Sequence, residues 1–167
     1  MTKKAAWFGS LCTAVIACDV VTKRLAEQAL QPQHVPHEIL GDVLRFTLTY
    51  NTGAAFSTSL GEYSRWGFTI LATIVLVVLV RTLRTVRDDD AWQAAAIGLI
   101  CGGAIGNLID RLRHAAGVVD FIDIGIGDQL RFWIFNVADM GVSIGAVMLV
   151  ISMLRAQSHA PTTEKLL

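Results

Sequence analysis

Four long apolar runs organise this chain. Ala5 to Val21 carries one charge, Asp19, and its pattern continues as helix to Leu30. Trp66 to Val80 is bracketed by Arg65 and Arg81, whose long stems can reach an interface from a buried Cα. Ala91 to Ile109 has no charge, and Phe132 to Leu154 has only Asp139. A membrane helix needs roughly 20 apolar residues to cross about 30 Å of hydrocarbon. The second run is short by that measure and depends on its flanks. Between the first two runs, Leu44-Arg45-Phe46-Thr47-Leu48-Thr49 alternates apolar and polar with period two, which predicts a small strand element. The pattern therefore predicts an all-α membrane protein, a bundle of four transmembrane helices over about 5–29, 66–83, 91–110 and 136–154. A small extracytoplasmic β element and a polar, disordered tail over 155–167 complete a single domain.

Composition supports the membrane reading. Of 167 residues 53% are hydrophobic and 17% charged, against about 25% charged in soluble domains. All four tryptophans, Trp7, Trp66, Trp92 and Trp133, fall at span ends, where an interfacial aromatic belt forms. Fourteen basic and fourteen acidic residues cancel, so no polyanionic partner such as nucleic acid is indicated. Cys12, Cys18 and Cys101 lie in apolar runs without paired spacing and make no disulfide framework.

Lysine and arginine placement orients the bundle. Four spans put both termini on one side, with Lys3, Lys4, Arg81, Arg84, Arg87, Arg155 and Lys165; the other side holds Arg45, Arg113 and Arg131. The richer side is cytoplasmic. Asp88-Asp89-Asp90 reads as a solvated loop, since acids count for little in that rule. The first run looks like a cleavable signal ending in Val15-Ile16-Ala17-Cys18. With three spans behind it, it is read as an uncleaved anchor.

This orientation carries polar residues from separate spans to one membrane face: Asp19 and Lys23, then Asn107, Asp110 and Arg111, then Asp120, then Asn136 and Asp139. Polar groups at membrane depth are costly and usually functional. Each also has a structural reading. Asp19 and Lys23 are spaced to neutralise each other. Asn136 and Asp139 have the spacing of an N-cap and its acidic third residue. Asp110 beside Arg111 suits an ion pair holding the outer connection. His34 and His37 flank Pro36 without an acidic partner, so no metal site is expected.

Asp120 stands between valines and a phenylalanine, which predicts a desolvated carboxyl with a raised pKa. Asp139 is its natural partner. Two adjacent aspartates cannot both ionise easily, and a shared proton is the arrangement of an aspartic protease. The chain has no HExxH zinc motif and no serine close to Lys23. Gly125-Ile126-Gly127-Asp128 matches a GxGD pattern, but Gln129 and Arg131 follow in a polar connection, so it reads as a turn. Small residues recur at Ala94, Gly98, Gly102 and Gly106, and again at Gly141 and Gly145, which predicts a tightly packed third helix at the centre of the bundle.

Five motifs in this order resemble the lipoprotein signal peptidases (signal peptidase II). They are Asp19-Val20-Val21-Thr22-Lys23, Tyr50-Asn51-Thr52-Gly53-Ala54-Ala55-Phe56, Gly102 to Arg111, Val118-Val119-Asp120-Phe121 and Phe135-Asn136-Val137-Ala138-Asp139. Val20 departs from the family, which usually has glutamine there. The resemblance implies an aspartic endopeptidase of the bacterial inner membrane. Its substrates are prolipoproteins already carrying diacylglycerol on the lipobox cysteine, and it cuts just before that cysteine. It implies Asp120 and Asp139 as the catalytic pair. Asp19, Lys23, Asn51, Gly53, Asn107, Asp110, Arg111 and Asn136 would shape the site and hold substrate. No metal or organic cofactor is implied; the expected partners are prolipoprotein and membrane lipid, and the expected state is a monomer. The rival reading is a four-helix transporter or assembly scaffold with an ion relay. A relay would distribute polar groups through the full membrane depth, whereas the inner halves of these spans are nearly uncharged.

Overall fold

The computed structural model describes residues 2–52 and 63–158. Its helices are α1 (Lys3–Ala29), α2 (Tyr63–Thr85), α3 (Ala91–Arg113) and α4 (Val137–Ser158). All four are long and apolar enough to cross a membrane. The helices run past the ends expected from hydropathy. α2 gains a turn from polar flanks, α3 continues past the expected 110 to Arg113, and α4 continues past Arg155. α4 starts at Val137, one residue after the expected 136, and Phe135 just before it forms a β-bridge with Ile122. Gly53 and residues 159–167 lie outside the described residues.

α3 is the central helix, packed along both α1 and α4, with α2 on its outer side. The small-residue ridge explains this. A Cβ on Gly98 would sit 2.7 Å from the Phe8 carbonyl oxygen of α1, and one on Gly102 would sit 2.8 Å from that of Cys12. On α4, a Cβ at Gly145 would lie 2.6 Å from the Ala96 oxygen. Backbone meets backbone at these positions, which is how helices associate where the hydrophobic drive between them is absent. Gly102→Leu is expected to lower the melting temperature in detergent, since overpacking costs about 1–3 kcal/mol or more and each kcal/mol is worth roughly 2–4 °C at this size. An unchanged melting curve would show that the ridge is not a contact. α2, by contrast, presents Ile70, Leu71, Ile74 and Val78 outward, each at least half exposed. A contiguous apolar face of that size marks a surface that meets lipid or another protein.

The loop between α2 and α3 is more structured than an acidic, solvated run suggests. Asp90 Oδ1 accepts from Gln93 N at 2.9 Å and caps α3. Asp88 pairs with Lys4 Nζ at 2.9 Å and ties that loop to the start of α1.

At the opposite end stands a four-stranded antiparallel sheet, ordered β1 (His37–Leu40), β2 (Leu44–Asn51), β3 (Val118–Ile126), β4 (Leu130–Arg131). The alternating segment is thus β2, and the β-branched run after α3 is β3. Gly127 and Asp128 lie in the β3–β4 turn, as read from sequence; Asp128 takes a hydrogen bond from Arg45 at 2.6 Å. One face of the sheet packs Leu48, Val119 and Phe121 on Ala26 and Leu30 at the end of α1, with Phe46 edge-on to Phe121. The two-residue period then puts Asp120 on the opposite face, where the Asn136 side chain reaches it. Gly117 lets β3 begin beside β2: its φ is +111°, and a Cβ there would meet the Asn51 carbonyl carbon at 2.6 Å.

Candidate active site

The buried charged and amide side chains of the described residues all lie at the sheet end of the bundle. Their centre is Lys23, 2% exposed on α1. Its Nζ lies 2.8 Å from Asp19 Oδ2, 2.8 Å from Asp110 Oδ2 and 2.9 Å from Asn107 Oδ1. One ammonium has three donors, and here three acceptors surround it. The i, i+4 pairing expected of Asp19 is therefore present, but each partner also does work elsewhere. Asp19 Oδ1 accepts from Ala138 N at 2.9 Å, in the first turn of α4. Its carboxylate lies against Gly106, where a Cβ would approach Oδ2 to 2.5 Å. Asp110 Oδ2 accepts from Val119 N at 3.2 Å, fastening the end of α3 to β3. Its ionic partner is Lys23 rather than Arg111.

The two remaining carboxyls meet through Asn136. The chain before α4 runs beside β3, with Ile122 N donating to Phe135 O at 2.8 Å and Phe135 N to Ile122 O at 3.0 Å. That pairing places Asn136 between Asp120 and α4. Asn136 Nδ2 donates to Asp120 Oδ1 at 2.6 Å, and Asp139 N donates to Asn136 Oδ1 at 2.9 Å. Asp139 Oδ2 in turn accepts from Asn136 N at 3.1 Å. This is the reciprocal cap that the spacing foretold, built from residues that also bring the carboxyls together. Asn107 Nδ2 donates to Asp139 Oδ1 at 2.7 Å, linking Asp139 back to Lys23.

Asp120 is 2% exposed, whereas Asp139 keeps an open side. Burial, then repulsion from Asp139, pushes the Asp120 carboxyl up to about 7, against hydrogen bonds from Asn51 and Asn136 that favour its charge. The desolvation read from its apolar neighbours is thus present. A buried carboxyl that keeps its proton near neutral pH, beside a second carboxyl open to incoming substrate, can activate water and polarise a carbonyl together.

Eight of the ten residues singled out from sequence join this cluster. Asn51 enters it from the end of β2, and seven others come from α1, α3, β3 and the start of α4. Arg111 stands at its edge, 5.7 Å from the Phe68 ring. Gly53 lies outside the described residues. Two supporting residues escaped sequence reasoning. Glu27 Oε1 accepts from Tyr50 OH at 2.9 Å, joining α1 to the strand that carries Asn51. Burial and that carboxylate push the Tyr50 phenol up to about 12, so it stays a donor. Arg65 Nε donates to Arg111 O at 2.5 Å and ties α2 to the end of α3. Glu27 had a legible signal, since Asp19, Lys23 and Glu27 form one i, i+4, i+8 row. Arg65 had none.

The family model described as signal peptidase (SPase) II matches residues 11–155. The chain belongs to the signal peptidase II family. Among its relatives, the lipoprotein signal peptidase of Pseudomonas syringae pv. tomato is 38% identical over 165 residues, covering 96% of this chain and 92% of that protein. Those of Hydrogenovibrio crunogenus and Mycobacterium avium are 42% and 44% identical, over 93% and 85% of this chain and 91% and 75% of their own lengths. A solved bacterial membrane enzyme superposes with a TM-score of 0.81 at 30% identity, over 94% of this chain and 93% of its own. As a signal peptidase II, the chain is an aspartic peptidase, a hydrolase of a bacterial membrane. The transporter or scaffold reading finds no support, and the one-ended distribution of buried polar groups agrees with a single reaction site.

Proposed function

We propose that this signal peptidase II removes the signal peptide from diacylglyceryl-modified prolipoproteins by cutting just before the lipidated cysteine. One observation carries the assignment of chemistry: Asn136 joins the buried Asp120 to the more open Asp139 through hydrogen bonds of 2.6 and 2.9 Å. Asp120 holds the proton and donates it toward the scissile carbonyl oxygen. Asp139, its oxygens oriented by Asn107 and Asn136, takes a proton from the attacking water. The tetrahedral intermediate then collapses as the amide nitrogen is protonated, releasing signal peptide and lipoprotein. Asp19, Lys23, Asn107 and Asp110 hold the elements that carry the pair. Asn136 aligns the two carboxyls, and Asn51, Gly53 and Arg111 are the residues expected to hold substrate backbone.

In this reading the whole chain is one peptidase domain of the bacterial inner membrane, acting as a monomer. Its four helices span the bilayer with both termini cytoplasmic, and the sheet lies at the periplasmic surface. A signal peptide enters as an apolar helix, so its cleavage point reaches the outer boundary where the carboxyls gather. No metal or organic cofactor takes part. The positive flanks of α1 and of the α2–α3 loop support the orientation.

The test is a gel-shift cleavage assay with purified protein on matched prolipoproteins, with and without the diacylglyceryl group. Each buried CH₂ contributes about 0.8 kcal/mol to anchoring, so the bare substrate is expected to be cut at least tenfold less efficiently. Equal turnover of both would show that the site reads peptide alone, and no turnover of either would remove the assignment.

A further inference from the structure

Beside the carboxyl cluster, between α1 and α3, lies a cavity of about 240 Å³. Its walls include Lys23, Arg24 and Glu27 of α1, and Asp110, Arg113 and His114 at the end of α3. The charges are unevenly occupied. Lys23 is held between Asp19 and Asp110. Asp110 is further engaged by Val119 N, and Glu27 by the Tyr50 hydroxyl. Arg24 and Arg113 have no hydrogen-bond or ionic partner among the described residues, yet both face the same cavity. Two free guanidinium groups on one small cavity form a site for a singly charged oxyanion, since each offers a planar fork matched to phosphate oxygens.

The surroundings identify the source of that oxyanion. Val21 and Leu25 flank Arg24 on α1, Leu112 precedes Arg113 on α3, and all three are more than half exposed. A soluble phosphate has no use for apolar walls beside its site. A phospholipid does, because its chains lie along the helices while its phosphate stays at their ends. The cavity is also smaller than the roughly 300–1,000 Å³ that encloses a drug-sized molecule, which suits a headgroup whose tails remain outside. We propose that this cavity binds the phosphodiester headgroup of an anionic phospholipid, clasped by Arg24 and Arg113. The bound lipid braces α1 against α3 directly behind Lys23 and Asp110. It stabilises the folded protein by mass action, because the unfolded chain offers no such clasp.

The experiment measures melting temperature and retained lipid, by native mass spectrometry, for purified protein in detergent. It titrates a phosphatidylglycerol, a phosphatidylcholine of the same chains, and inorganic phosphate in parallel. Phosphatidylglycerol is expected to raise the melting temperature by several degrees more than phosphatidylcholine, with one molecule retained. Arg24→Gln/Arg113→Gln is expected to weaken phosphatidylglycerol binding at least tenfold, with its melting temperature in detergent alone unchanged. Either single variant should lose an intermediate amount, which reads the site even if the double variant folds poorly. Equal stabilisation by the two lipids, or unchanged phosphatidylglycerol binding in the single and double variants, would overturn the proposal and leave the arginines as interfacial anchors only. Inorganic phosphate matching the lipid would overturn the lipid as ligand.

Discussion

Asp120→Asn and Asp139→Asn are each expected to lower cleavage by on the order of 10³-fold or more, and the double variant by little beyond either single one. Residues that act as one unit are non-additive in this way. Asparagine keeps the shape and the acceptor that Asn136 Nδ2 contacts, so folding and insertion should survive. The pH dependence adds a second reading. Asp120 loses its proton near pH 7 in the folded protein, so activity is expected to fall as pH rises through about 7. The sign for stability follows from linkage. An unfolded aspartate has a pKa of about 3.9. Between about pH 4 and 7 the folded protein therefore binds more protons than the unfolded chain, and stability declines as pH rises across that window. Asp120→Asn removes this cost. The variant should melt with wild type near pH 4 and above it at pH 8, although it is inactive at both. A melting difference that did not change with pH would overturn the proton held on Asp120, and substantial turnover by either single variant would remove the substituted aspartate from the proposed pair.

Lys23→Met should produce the largest loss of stability of any single substitution in the cluster. The lysine is buried against two carboxylates at 2.8 Å, and methionine fills its stem without its charge. Asp19 and Asp110 would then face each other across an apolar side chain. Removing one partner of a buried ionic cluster costs about 3–5 kcal/mol, chiefly the penalty of the charges left behind. That is a fall of roughly 6–20 °C at 2–4 °C per kcal/mol. Asp110→Asn placed on top of Lys23→Met should recover part of the loss, because one uncompensated carboxylate disappears with it. Asp110→Asn in the wild-type background should reduce both stability and activity, since it loosens Lys23 and the Val119 N–H together. The cycle of four melting temperatures gives the coupling directly. Additive losses would mean that Lys23 and Asp110 do not share the buried pair seen here.

Much of this architecture was legible because lipid imposes simple rules. Each helix satisfies its own backbone, so long apolar runs and their charged flanks report the elements directly. The Gly98, Gly102, Gly106 row reports which helix lies at the centre, since four-residue spacing keeps one face open to a neighbouring backbone. The Asp120 environment was readable because its immediate neighbours in sequence are apolar and a strand keeps them close. Helix ends were harder. α2 and α4 extend past their apolar cores because hydrogen bonds within a helix continue through polar flanks, while Phe132 to Asn136 is as hydrophobic as the helix it precedes. Its pairing with β3 makes it extended, and no hydropathy pattern records that pairing.

What the sequence determined by itself is the set of parts: four apolar helices, a strand of alternating residues, a family, and the carboxyls and amides gathered toward one end. Those properties are local, written in composition and in spacing along one segment at a time. Only the tertiary structure decided how the parts meet. Asp110 pairs with Lys23, 87 residues away along the chain, rather than with adjacent Arg111, because an ion pair follows distance in space and not order in sequence. Asn136 could be read as a cap, but that its side chain also reaches Asp120 depends on Phe135 lying beside Ile122. The guanidinium groups of Arg24 and Arg113, without a partner among the described residues, were two unremarkable charges until helix packing, set by glycines elsewhere in α3, brought them to one cavity.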